Sequence, residues 1–179
     1  MRYFLFFILL LFSADIYAQK LVKKKLSDNI TVRLPKDFYP MTAEDRAQRY
    51  ASARLPIALY TDVDRLADFG VNRAYTTWEE GDLKLVERFY QASLFELYDK
   101  VKIISQGIKN VNNHDFVYFE FESVVYPDNE FQGNIAKYTY LMYGLEGGTT
   151  YLFNFTCELS VRNQYQGTAR NIMDSVKLR

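Results

Sequence analysis

The sequence predicts an α+β sandwich, with an antiparallel sheet of about six to seven strands packed against two to three helices. Three patterns predict it. In the segment 114–125, Val117, Phe119 and Phe121 alternate with Tyr118, Glu120 and Glu122, the period of a strand. Tyr151, Phe153, Phe155 and Cys157 alternate in the same way after the dipeptide Gly147-Gly148, a two-residue hairpin signal. Between the strand segments, Leu83, Val86, Tyr90, Leu94 and Leu97 recur at helical spacing and draw one apolar stripe.

The elements follow in order. Arg2 precedes an apolar run over residues 3–12, and small and polar residues then lead to Ala18. That is the pattern of a signal peptide over residues 1–18; the run is shorter than the roughly 20 apolar residues that span a membrane. Ile16 stands where a small residue is usual before the cut, so an uncleaved anchor is the competing reading. Export to the periplasm or exterior is expected, with no membrane span after cleavage. Residues 19–27 carry Lys20, Lys23, Lys24 and Lys25 and read as a basic flexible leader. Residues 28–179 contain no repeat or Pro/Gly-rich linker and read as one sandwich domain.

Residues 29–34 read as the first strand, stopped by Pro35. Thr42-Ala43-Glu44-Asp45 resembles a capping box with Asp for the usual Glu, and opens a short helix to about residue 52. Strands follow at 57–61 and 68–77, the second with Val71, Arg73, Tyr75 and Thr77 on one face. The clearest helix covers 82–98; Glu79, Glu80 and Asp82 sit at its start, where the helix dipole favours negative charge. A strand at 101–109, an Asn-rich turn at 110–113 and strands at 114–125, 136–145 and 151–158 come next. A final helix begins near residue 160, with Val161, Tyr165, Thr168, Ala169, Ile172 and Val176 on its inner stripe. One sheet face is apolar and the other mixed. Both long helices are therefore expected on the apolar face, with the mixed face in solvent.

Composition removes several functions. The chain has 22 basic and 22 acidic residues, so its charge offers no drive towards nucleic acid or an anionic membrane surface. Cys157 is the single cysteine and His114 the single histidine. A disulfide is thereby excluded, and neither a nucleophilic triad nor a zinc site is indicated. Cys157 is in phase with Phe153 and Phe155 and reads as a small hydrophobe. Asp62 with Asp64, and Asp128-Asn129-Glu130, could offer oxygens to calcium, but neither fits an EF-hand loop. Glu79, Glu80 and Glu120 are the acids that a hydrolase reading would use. Glu120 and Glu122 lie two apart on one strand and fit a solvated face better. No cofactor, metal or catalytic constellation is indicated.

The binding candidates are Tyr75, Trp78, Tyr118, Glu120 and Glu122. Trp78 precedes the acidic helix start and either packs at the helix–sheet seam or is an exposed anchor for a partner. Tyr118, Glu120 and Glu122 would form an aromatic and acidic contact face if that side of the sheet were open. An alternative is a carrier holding a small apolar or aromatic ligand between the long helix and the sheet.

Three further phrases carry a family resemblance. The segment 29–38, Asn-Ile-Thr-Val-Arg-Leu-Pro-Lys-Asp-Phe, opens it. The central helix followed by a strand with Gly107 is its middle. Thr149-Thr-Tyr-Leu-Phe-Asn-Phe-Thr156, a helix with Tyr165 and Met173-Asp-Ser-Val-Lys177 close it. In this order, over residues 27–177, they resemble the PsbP-like and DcrB-like α/β/α sandwich proteins. The polar insertion at 126–134 departs from that pattern. The resemblance implies a non-enzymatic role, as accessory or assembly factor, adhesion-related envelope protein or small-protein binder; a monomer with another envelope protein as partner is expected. No binding residue carries over from it.

Overall fold

In the computed structural model, which describes residues 20–50, 55–127 and 133–179, the chain runs as follows. Strands β1 (Leu21–Lys25), β2 (Ile30–Pro35) and β3 (Tyr39–Pro40) precede helix α1 (Ala43–Arg49). Strands β4 (Ala58–Thr61) and β5 (Ala67–Tyr75) lead through a 3-10 turn to α2 (Leu83–Leu97). The long strands β6 (Lys100–Val111), β7 (His114–Val125), β8 (Ile135–Glu146) and β9 (Thr149–Glu158) follow, then α3 (Arg162–Asp174) and β10 (Lys177–Leu178). A seven-stranded sheet has the order β3-β4-β5-β9-β8-β7-β6, and a three-stranded sheet the order β1-β2-β10. Every strand pair is antiparallel.

The hairpins follow from their turn residues. Gly147 and Gly148 have φ of 54° and 70°, left-handed values that glycine adopts without a Cβ clash. Asn112 and Asn113 do the same between β6 and β7, at 52° and 68°, using the tolerance of asparagine for this region. Asp45 N–H donates to the Thr42 hydroxyl at 3.1 Å, and that hydroxyl donates to the Asp45 carboxylate at 3.0 Å. Thr42 thus caps α1 as the sequence predicts.

Burial overturns the expected two-layer packing. Val117, Phe119 and Phe121 of β7 join Leu141, Tyr143 and Leu145 of β8 beneath Val86 and Leu94 of α2. The opposite face of the same sheet is covered as well and carries a larger apolar cluster. There Phe116, Tyr138, Tyr140, Met142, Phe153 and Phe155 pack under Tyr165, Ala169, Ile172 and Met173 of α3 and under Ile30, Val32 and Leu34 of β2. The two helices therefore lie on opposite faces, and the result is an α+β sandwich of three layers. Each fully buried Phe, Leu or Ile contributes roughly 1.5–3 kcal/mol, and eight of the side chains at under 2% exposure are Tyr or Phe, or nearly so for Phe38.

The stretch expected as a flexible leader contains β1. Leu21 to Lys25 pair with Pro35 to Thr31, and Leu21 and Leu26 pack partly against the core. β2 is the central strand of its small sheet: β1 pairs with one edge over residues 31–35, and β10, only two residues long, pairs with the other edge at Ile30 and Thr31. The lysines did not signal a disordered run; they occupy a strand at the sheet edge, where charge blocks further pairing.

Candidate functional site

Three of the five predicted site residues lie on β7 beneath α3, where the sequence placed open solvent. Glu120 is 2% exposed. Its carboxylate accepts from the Tyr138 hydroxyl at 3.0 Å, from Gln166 Nε2 at 2.6 Å and from Arg170 Nε at 3.1 Å. Gln166 and Arg170 come from α3, so this acid ties the helix to the sheet. Glu122 accepts from Arg162 of α3 and pairs with Lys102 of β6 at 3.3 Å. The Tyr118 hydroxyl meets Ser105 Oγ at 2.9 Å, and the Lys109 ammonium lies over its ring. The expected aromatic and acidic contact face is thus a buried polar seam. The alternation of β7 reported a change of side, and the second side is covered as well.

The other two residues sit elsewhere. Tyr75 ends β5 opposite Thr149 and is exposed. Trp78 is half-buried, with its ring 5.7 Å from that of Phe89 of α2. It packs against the core at the seam and also borders an exposed surface that the sequence pattern did not single out. Leu85 and Phe89 of α2 are each more than half exposed, and Phe95 is 55% exposed. Leu85, Phe89 and Ala92 recur at spacings of 4 and 3, so α2 carries a second apolar stripe opposite the one that packs on the sheet. Leu97, expected on the inner stripe, is exposed at the helix end.

The 3-10 turn before α2 explains the acidic trio. The Glu79 N–H donates to Asp82 Oδ2 at 2.9 Å, one half of a reciprocal capping box. Glu79 and Glu80 belong to the α2 layer, whereas Glu120 faces α3. The three acids of a hydrolase reading are not brought together. Asp62, a calcium candidate, has protein donors on both oxygens: Leu66 N–H and Ala67 N–H on Oδ1, and the Tyr165 hydroxyl on Oδ2. Asp128-Asn129-Glu130 lies outside the described residues. Among the described residues no three His, Cys, Asp or Glu side chains converge on a metal position. Cys157 is buried in the core, and burial, with Asp62 and Glu158 adding, pushes its thiol up to about 12. It stays protonated at neutral pH and is a poor nucleophile. His114 packs on Phe116 beside the Asn turn.

The seam under α2 is filled. Tyr90 stacks on Tyr143 with ring centres 3.9 Å apart, and Val86 and Leu94 close the rest. The expected ligand position between helix and sheet is occupied by side chains.

No protein-family model matches the chain, and no curated protein matches its sequence. Solved structures do match. The cyanobacterial PsbP protein of Synechocystis sp. PCC 6803 superposes with a TM-score of 0.62 at 9% identity, over 92% of this chain and 96% of that one. The Saccharomyces cerevisiae Ran-binding protein Mog1p gives 0.59 at 11% identity, over 90% and 96%. LpqN of Mycobacterium tuberculosis, described as involved in cell envelope biogenesis, gives 0.56 at 9% identity, over 89% and 90%. Among the described residues no helix is long and apolar enough to cross a membrane. At such low identity the likeness speaks for the fold, and the fold of this chain is the PsbP-like sandwich.

Proposed function

We propose that this is an exported, non-catalytic accessory or assembly protein of the cell envelope, which binds another envelope protein through Trp78 and the outer stripe of α2. The observation that carries the reading is that stripe. Leu85, Phe89 and Phe95 hold large apolar area in water on a helix whose opposite side is already packed. Each is already about half-buried, so completing its burial in a partner would contribute about half of the roughly 1.5–3 kcal/mol of a fully exposed side chain. Lys84, Glu87, Arg88 and Glu96 interrupt and flank the stripe, as a polar rim surrounds an apolar interface centre. The signal-peptide pattern of residues 1–18 supports export, and the neighbours support a binding role: one is named for binding Ran, another for envelope biogenesis.

Affinity capture from native envelope extract tests this. The tagged protein should bring down one reproducible envelope protein, and Phe89→Asp should lose it while melting at the wild-type temperature. An unchanged capture with Phe89→Asp, or none with wild type, would refute the proposal.

A further inference from the structure

The seven-stranded sheet is wider than α2. That helix packs on β6 and β7, and α1 approaches the β5 end of the same face. Between them lies a groove of about 490 Å³, within the usual range of small-molecule sites. Its floor follows from the register. Asp68 of β5 stands opposite Thr156 of β9, and Gly70 opposite Asn154. Asp68 and Asn154 therefore face the groove from adjacent strands.

Four carboxylates are buried among the described residues: Asp45, Asp62, Asp68 and Glu120. Asp45 is bonded through both oxygens, by Arg65 and Thr42. Asp62 and Glu120 are also bonded through both. Asp68 differs. Its Oδ2 accepts from Arg49 at 2.5 Å and from the Tyr50 hydroxyl at 2.8 Å, but its Oδ1 is buried with no partner. Asn154 Oδ1, in the same floor, is also buried and unpartnered. Two unpaired acceptors on adjacent strands of one floor are a standing cost to the fold unless a donor arrives.

We infer that this groove binds a small zwitterion of the amino-acid or dipeptide class, its ammonium on Asp68 and Asn154 and its carboxylate towards Lys137. The ammonium supplies several N–H donors to the two acceptor oxygens that the floor leaves unpaired. Arg49 already balances the Asp68 charge, so a plain amine would leave the groove doubly positive with Lys137. Lys137 is exposed at the rim and makes no ion pair among the described residues. A carboxylate on the ligand offsets that charge. Tyr98 and Leu141 provide an apolar wall for the ligand's side chain. This site is separate from the outer stripe of α2.

Isothermal titration of the purified protein with phenylalanine, leucine and the dipeptide Leu-Phe tests the inference. N-acetylphenylalanine and phenylalanine amide remove one charge each. The free zwitterions should bind, and each capped form should bind at least tenfold more weakly. Lys137→Met should weaken the zwitterion at least tenfold with no change in melting temperature. Asn154→Leu should abolish binding and raise the melting temperature, since it removes an unpaired buried oxygen. Phe89→Asp should bind the zwitterion as wild type does. Absence of binding by all three zwitterions, equal binding of capped and free forms, or a lowered melting temperature in Asn154→Leu would each overturn the inference.

Discussion

Replacing Glu120 by Leu separates a buried polar tie from a solvated acid. Glu120 holds the Tyr138 hydroxyl, Gln166 and Arg170, and Tyr138 is fully buried. Removing the carboxylate strands that hydroxyl, which costs about 1–3 kcal/mol. The charge-assisted bond to Arg170 is lost as well, but Arg170 keeps half its side chain in water and can rehydrate, so its share is discounted. Against these losses stands the relief of desolvating a carboxylate. The balance is a net loss of about 1–3 kcal/mol, or roughly 2–12 °C in melting temperature for a domain of this size. Thermal unfolding followed by circular dichroism reads it. A double-mutant cycle with Tyr138→Phe adds specificity: the hydroxyl should matter when Glu120 is present and be neutral or unfavourable when it is not. If Glu120→Leu melts within 1 °C of wild type, as exposed substitutions of about ±0.5 kcal/mol do, the buried seam is wrong.

Other consequences are direct. Asp62→Ala should cost about 3 kcal/mol, because Leu66 N–H, Ala67 N–H and the Tyr165 hydroxyl lose their acceptors; urea unfolding would show it as a lower midpoint at unchanged slope. Gly144→Ala should cost about 1–3 kcal/mol by overpacking, since a Cβ there would stand 2.7 Å from the Phe116 ring and 2.9 Å from Leu178; a wild-type melting temperature would contradict that packing. Burial raises the thiol of Cys157 and the phenols of Tyr50, Tyr138 and Tyr143 above their ordinary values. In the unfolded chain these groups release protons that the folded protein retains, so stability should be flat below about pH 8 and fall as pH rises past about 9. Denaturant midpoints rising across that alkaline range would contradict the assignment.

Much of the fold is legible in the residues. The phase of β7 and β9, the Gly147-Gly148 turn and the stripe of α2 each predict the element found. The coverage of the sheet is not legible in the same way. Glu120 and Glu122 look like solvent-facing acids because their partners, Arg162, Gln166 and Arg170, arrive from a helix 40 to 50 residues later. A polar position on a strand reads the same whether it meets water or a matched side chain. The strand β1 is not legible locally, because Leu-Val-Lys-Lys-Lys carries no strand alternation and only its pairing with residues 31–35 makes it one. The outer stripe of α2 is visible in sequence as Leu85, Phe89 and Ala92, but the longer inner stripe satisfied the helix pattern first. The unpaired oxygens of Asp68 and Asn154 depend on register and on what fails to reach them, which no local pattern carries.

Site-specific photo-crosslinking tests the central claim most directly. A photoreactive side chain at Phe89, on the outer stripe, is compared in intact cells with one at Lys36, exposed after β2 in the opposite layer. The proposal predicts one dominant crosslinked envelope protein from position 89 and none from position 36. Equal crosslinking from both positions, or none from position 89, would contradict a partner surface on α2.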